Sequence, residues 1–324
     1  MAPTLLVQTI SSVVAASTPL VFAGLGETLT EKAGVTNLSL DGTILLSAMT
    51  AFAVAYLSGS LLLGILAAML VGALIALLVA WGSIALKQNQ VAIGFVLTLL
   101  CADLSSFLGR PFVRIPGPSV PHLPIPGLVA IPVVGPILFN HNLLVYLSFA
   151  LAIGVWLWIG HTRQGLVLRS VGERPESAYA RGVNVHRTRY LYTLLGGALV
   201  GLAGATYSLS VKLGWSHRHT AGEGWIALAI VIFGGWSPWR VVLGAYFFGA
   251  LKSLGSLMQP AFPDVPTQVF QAAPFALMIV VLVLASGDLK ERLLALMHPR
   301  MRRLLSGMVR AGPPAALGKP FEPD

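Results

Sequence analysis

Polar residues in this chain gather in a few clusters, and between them run apolar stretches too long and too poor in charge for a water-soluble core. Leu61–Leu86 and Leu143–Ile159 are the clearest. A hydrocarbon layer about 30 Å thick takes about 20 helical residues to cross. Inside it every backbone amide must find a partner within the protein, so such runs are helices; the alternation of a barrel strand is missing. The pattern predicts spans near 5–25, 43–58, 61–85, 91–109, 142–160, 190–210, 224–236, 239–258 and 270–286. The fold class is therefore all-α: a polytopic integral membrane protein with about 8–10 transmembrane helices. Met1–Gln8 has no basic region ahead of the first run, so residues 5–25 read as a retained helix rather than a signal peptide. No soluble domain separates out, which leaves one membrane domain, 1–286, and a basic, partly disordered tail, 287–324.

Three polar stretches organise the chain. Residues 110–142 are crowded with proline and nearly free of charge, which disfavours helix and favours extended backbone. Residues 161–189 hold Arg163, Arg169, Arg174, Arg181, Arg187 and Arg189 against Glu173 and Glu176. The tail carries Lys290, Arg292, Arg300, Arg302, Arg303 and Arg310. Lys and Arg mark the cytoplasmic flank of a membrane protein, so the arginine stretch and the C-terminus are assigned to the cytoplasm and the proline-rich stretch to the outside. Four expected spans separate the arginine stretch from the tail, an even number that returns the chain to the same side. Counting backwards puts the N-terminus outside and residues 27–41 inside or re-entrant.

Composition agrees. Hydrophobic residues make up 56% and charged residues 10% of the 324 positions. The mean hydropathy is +0.80. The net charge of +9 does not imply nucleic acid, because the basic residues flank membrane spans and are not interleaved with aromatics. Cys101 is the only cysteine and lies in an apolar run, which excludes disulfides and cysteine metal sites. No P-loop, HExxH or GxSxG pattern occurs, so neither bound ATP nor hydrolytic catalysis is expected of this chain. His217 and His219 are close enough to share a metal, but sites want three or four ligands, and a polar external loop accounts for them. No cofactor or metal is expected.

Candidate functional residues fall in two places. Gly165–Val183 reads as a short amphipathic helix, with Pro175 in its first turn and Gly182 at its end. Its small residues Ser177, Ala178 and Ala180 would let another protein approach closely; a solvated basic loop explains the same composition. The second place is a pair of polar or glycine-interrupted hydrophobic stretches, Glu27–Gly42 and Ala221–Trp239, one in each half of the chain. Broken segments at corresponding places, as in an inverted repeat, point to a transport path. Ionisable groups at membrane depth are costly and usually functional, so Glu27, Asn37, Asp41 and Glu223, with Gly234 and Gly235, are candidates for the path. The alternative is that Glu27, Glu31 and Lys32 sit in an interfacial loop.

Four stretches carry a resemblance: Gly165–Val183, the Gly196–Ala205 run after it (GGALVGLAGA), Glu31–Gly42 (EKAGVTNLSLDG) and Ala221–Pro238 (AGEGWIALAIVIFGGWSP). Together they resemble the inner-membrane permeases of ATP-binding cassette importers for nucleosides and simple sugars, over residues from about 8 to 286. The resemblance implies that the arginine stretch is a coupling helix docking into a cytoplasmic ATPase, with Gly165, Arg169, Gly172, Glu173, Pro175, Ala178 and Gly182 in that role. It further implies a second permease subunit, homologous or identical, an external solute-binding protein, and a bacterial-type plasma membrane. Two departures stand out: Asp41-Gly42 where family members commonly have Glu-Gly, and Arg174 where they have Asn before the proline. They bear on substrate preference and ATPase docking. Nucleosides are the first choice of solute, ahead of simple sugars and branched-chain amino acids. The competing reading is an ion-coupled secondary transporter, for which Asp103 is the one acid well inside an expected span. A membrane enzyme is disfavoured, since no acid–base or nucleophilic set is visible.

Overall fold

The computed structural model describes residues 5–220, 222–262 and 312–322, together with part of 264–280. The expected span 270–286 and the tail's basic cluster therefore lie largely outside the described residues. The helices follow the apolar runs: α1 Leu5–Lys32, α2 Leu40–Ser58, α3 Leu61–Ala80, α4 Gln90–Leu108, α5 Val134–Leu138, α6 Leu143–His161, α7 Arg163–Glu173, α8 Pro175–Ala180, α9 Val185–Thr206, α10 Glu223–Phe233 and α11 Pro238–Met258. Both α3 and α9 finish in one wider π-helical turn, reaching Ala85 and Val211. Among the described residues, six helices (α1, α2, α3, α4, α6 and α9) are long and apolar enough to cross a membrane. The span expected at 224–236 is corrected: the helix there, α10, has 11 residues and is too short to cross.

Starts and stops come from the sequence. Side chains of Ser60, Asn89, Asn142, Thr162 and Asn184 cap the N-termini of α3, α4, α6, α7 and α9, each accepting a backbone N–H of the first turn. Pro175 opens α8, where its missing N–H costs nothing.

Depth in the bundle runs opposite to hydrophobicity. The windows best sheltered inside the protein belong to α2 and α9, which are among the less apolar spans; α3 and α4, the more apolar, show most of their surface. Lipid explains the inversion: outward faces want leucine and phenylalanine, while inward faces need small residues and internally satisfied hydroxyls. Thus Leu62, Leu66, Leu70 and Leu74 of α3 are exposed. Within the bundle, Thr18, Thr28, Thr30 and Thr206 each donate their hydroxyl to the carbonyl four residues back. Where α3 crosses α9, Gly72 lies against Gly197 and Gly201 with no room for a Cβ. From Ser17 to Glu31, α1 is buried along its whole length, ringed by α6, α9, α10 and α11.

The bundle has two distinct ends. At one, the proline-rich stretch meets residues 209–215: Val120 N donates to Leu209 O (2.9 Å) and Arg114 N to Trp215 O (3.3 Å). The start of α1 is here too, its Gln8, Ser11 and Ser12 facing His122 and His141. At the other end lie the end of α1, the arginine stretch, and tail residues 312–322, whose Ala316 N donates to Gly172 O (2.9 Å).

Two further expectations need correction. The first helix does not stop near residue 25: it continues to Lys32, so Glu27, Glu31 and Lys32 belong to its last turns and only residues 33–39 are non-helical. The arginine stretch is two helices rather than one, because Pro175 cannot donate and forces Arg174 out of helical geometry (φ −146°, ψ 80°).

Gly201→Leu should destabilise the detergent-solubilised protein by about 1–3 kcal/mol through overpacking at the α3–α9 crossing. Gly154→Leu, exposed and facing open space, should leave the melting temperature unchanged. Thermal unfolding followed by intrinsic tryptophan fluorescence distinguishes the two.

Candidate functional site

The two interrupted stretches, far apart in sequence, are interlocked. After α1 the chain turns at Gly34 (φ +90°) and climbs beside α4: Thr36 N donates to Gln90 Oε1 (2.7 Å), and Thr98 Oγ1 donates to Leu38 O (2.7 Å). Asn37 Oδ1 accepts from the N–H and hydroxyl of Ser39 (3.0 and 2.6 Å), forming the local turn that launches α2. One residue into α2, buried Asp41 reaches across to α10, where its Oδ1 accepts the N–H groups of Gly222 (2.8 Å) and Gly224 (3.0 Å). A carboxylate suits the positive end of a helix dipole. The approach is possible only because Gly224 has no side chain; a Cβ there would run into the Asp41 backbone.

The far end of α10 is pinned as well. Gly234 ends the helix, and the chain reverses through Gly235 (φ +56°) and Trp236 (φ +55°). A bulky residue in the left-handed region is strained, and such strain persists only where surrounding contacts impose it. Here the contact is to α1: the indole N–H of buried Trp236 donates to Glu31 Oε2. One turn earlier, fully buried Glu27 accepts from Asn37 N (3.3 Å) through Oε1, while its Oε2 finds no partner among the described residues. Helix α10 is thus held at its start by α2 and at its end by α1.

At the head of α10 lies a charged cluster. Glu223 accepts from the Tyr207 hydroxyl (2.6 Å) and is ion-paired with Lys252 of α11. A cavity of about 270 Å³ opens beside them, lined also by Ser12, Ala16 and Lys212. It offers an acceptor, cationic donors and a phenol to a polar solute.

The second set of expected residues divides in two. Gly165 is buried against the carbonyls of Trp158 and Ile159, and Gly172 against the Lys32 carbonyl. Pro175 and Ala178 also face inward. These four position α7 and α8. Arg169, Glu173 and Gly182 are exposed, as are Arg174, Glu176, Ser177, Ala180 and Arg181, and together they make the surface the hairpin presents outward. Gly182 adopts φ +83°, which closes α8.

Sequence reasoning passed over Tyr207, Trp236, Lys252 and the buried Arg189. Lys252 did carry a signal, since a cation within the expected span 239–258 demands a partner. Asp103 lies outside the interlock: it is exposed on α4 and meets Arg218 at 3.6 Å. His217 is exposed, whereas His219 Nδ1 donates to Ser216 O (2.8 Å), and burial holds the His219 imidazole below its ordinary pKa.

Asp41→Ala should remove the cap from α10 and cost about 0.5–2 kcal/mol. Amide exchange at Gly222 and Gly224 should quicken in the variant while α3 and α6 exchange as before, and Asp41→Asn, which keeps one acceptor oxygen, should fall between.

Residues 9–282 match the family model described as "Branched-chain amino acid transport system / permease component". The chain is 35% identical over 300 residues to the guanosine ABC transporter permease protein NupQ of Bacillus subtilis, covering 86% of this chain and 92% of that one. It is 34% identical over 285 residues to the nucleoside ABC transporter permease protein NupC of Lactococcus lactis, covering 84% and 90%. A Haloferax volcanii protein provisionally named a glucose ABC transporter permease, TsgC13, is 39% identical over 249 residues, 76% of each chain. The fold is similar to that of an inward-facing ABC transporter provisionally assigned to the metal-chelate type, at 17% identity and a TM-score of 0.51 over 86% of each chain. With the family model spanning the whole interlocked bundle, the chain belongs to the permease components of the branched-chain amino acid transport system family, a branch of the ABC transporter permeases.

Proposed function

We propose that this permease imports a nucleoside, lining one side of a pathway completed by a second permease subunit. A separate cytoplasmic ATPase grips the exposed face of α7–α8, and an external binding protein delivers the solute. The observation that carries the reading is the interlock of the two broken stretches around α10. Non-helical backbone and ionisable groups at membrane depth are tolerated where they line a route or are buried in protein, and here both come together. The family match, rather than the acids, speaks against an ion-gradient transporter: Asp103 is exposed on α4, but Glu27 and Glu31 are buried in α1.

A continuous line of contacts runs from the arginine stretch to α10. Gly172 of α7 abuts the end of α1 at Lys32; Glu31, one residue earlier, holds Trp236 at the end of α10. ATP-driven closure of the ATPase would move α7–α8, α1 would follow, and α10 would shift against Asp41, changing the side to which the path opens. In this scheme the arginine stretch and the C-terminus face the cytoplasm. Nucleosides are favoured because the two bacterial nucleoside relatives match along nearly their full lengths. The Glu223–Lys252–Tyr207 cluster has the donors and acceptors that ribose hydroxyls need. A simple sugar is the second reading, supported by the Haloferax relative and satisfied by the same cluster.

Deleting residues 172–182, or introducing Gly182→Arg, should leave membrane insertion intact while the ATPase no longer co-purifies; co-purification that survives the deletion overturns the docking role. In cells carrying the whole importer, radiolabelled guanosine uptake should require this chain and be competed by unlabelled nucleosides. Competition by glucose alone would move the substrate class to sugars.

A further inference from the structure

Helix α8 is six residues long, far below what holds a helix together in isolation. Its inward face needs cover. That cover is a small apolar cluster, separate from the main core, made of Val171 of α7, Ala178 of α8, Val185 of α9 and Phe321 from the tail. Phe321 is 5% exposed, and its ring packs against Tyr179 and His186 with centroids 5.7 and 5.5 Å away.

The rest of the segment ties four elements together. Ala316 N donates to Gly172 O (2.9 Å) and Ala315 N to Glu173 Oε2 (3.4 Å), which fastens it to α7. Gly318 N donates to Gly34 O (3.1 Å), on the turn between α1 and α2. Glu322 pairs with Lys87, ahead of α4. Lys319 O accepts from Arg189 Nη1 (2.9 Å), giving a partner to a guanidinium that is 2% exposed and whose Nε and Nη2 have none among the described residues. A buried cation without any acceptor is strongly destabilising, so this contact anchors the segment to α9. Apart from the bond to Glu173 at the edge of the outward surface, these contacts leave the outer side of α8 open: Arg174, Glu176, Ser177, Ala180 and Arg181 stay exposed.

We infer that residues 312–322 are a positioning strap, with Phe321 as its key, that sets the pose of α8 and joins it to the Gly34 turn. The strap supplies a second route, parallel to the Gly172–Lys32 contact, from α8 to the Asn37 turn and Asp41. The inference rests on the reading of α7–α8 as the ATPase-docking hairpin. Because the outward face stays open, the strap braces the docking surface and does not occlude it.

The test uses the complete importer in proteoliposomes, comparing wild type, Phe321→Ala, Phe321→Leu and a chain ending at Arg310. Three quantities are read: ATPase retained by the purified permease, ATP hydrolysed, and solute moved per ATP. A misplacement of about 1 Å can cost about a hundredfold in rate, so a loosened α8 should lower solute moved per ATP by about tenfold. Phe321→Ala and the truncation should show this loss with the ATPase still bound, and Phe321→Leu should recover most of it. A Phe321→Ala importer with the wild-type ratio overturns the strap. So does one that loses the ATPase altogether, which would make the tail part of the docking surface, and so does a truncation that raises hydrolysis at an unchanged ratio, which would make it an inhibitor. Should the truncation fail to insert, Phe321→Ala decides alone. If wild-type permease itself retains no ATPase, the docking assignment fails; if it does and Phe321→Ala matches it in every reading, only the strap fails.

Discussion

Asp41 accepting two backbone N–H groups from the start of α10 is the interaction on which the rest of the arrangement depends. A helix of 11 residues cannot reach across a bilayer, and its leading amides would stand unpaired in a medium without water. The side chain of another helix must supply the acceptor. A side-chain cap of this kind contributes about 0.5–2 kcal/mol, and here two donors converge on one oxygen. Because Asp41 sits one residue into α2 and depends on the climb from Gly34 to Ser39, the cap also fixes the path of the first broken stretch. Trp236 does the same from the other side, accepting a left-handed backbone to reach Glu31. The result is a short helix suspended between α1 and α2 rather than rooted in its own neighbours.

The surrounding bundle follows from the same solvent. Where lipid is the exterior, hydrophobicity alone cannot tell inside from outside, and close packing of small residues takes over as the organising force. Glycine at the α3–α9 crossing and threonines that bond back into their own helices serve that end. Among the described residues, charges inside are mostly held in sets, Glu223 with Lys252 and Tyr207 and Asp41 with the α10 amides, while Glu27 keeps one carboxyl oxygen without a partner. In a permease these sets do double duty. They keep the interior intact, and under the proposed function they also offer a solute partners in place of its lost water.

At the opposite end the logic reverses, since water is available and helices as short as α8 must be held by what packs beneath them. Buried glycines at 165 and 172 seat α7 against α6 and α1, and an apolar cluster under α8 includes a residue from the far end of the chain. Under the proposed coupling scheme, motion delivered to this hairpin would have two routes inward, one through Lys32 and one through Gly34. Both lead to the residues that hold α10.

How much of this was legible in the residues depends on whether the signal was local. Long uncharged runs dictate helices because backbone amides have no other partner in hydrocarbon, so six of the nine expected spans, and the membership of Glu27, Asn37, Asp41 and Glu223 in special stretches, could be read directly. Pro175 and Gly182 mark the ends of α8 for equally local reasons, one lacking an N–H and the other tolerating positive φ. Local pattern misjudged the end of α1, because Glu27, Glu31 and Lys32 look like a loop until their burial among other helices is known. It could not reveal that Asp41 caps a helix whose first bonded amide lies 181 residues later, that Trp236 reaches Glu31, or that Phe321 packs in one cluster with Ala178. Sequence by itself determined the solvent, the class and the segments worth attention, since each is a property of a stretch of chain. Tertiary structure alone decided which polar group meets which, because a hydrogen bond between distant residues depends on geometry that no single stretch contains.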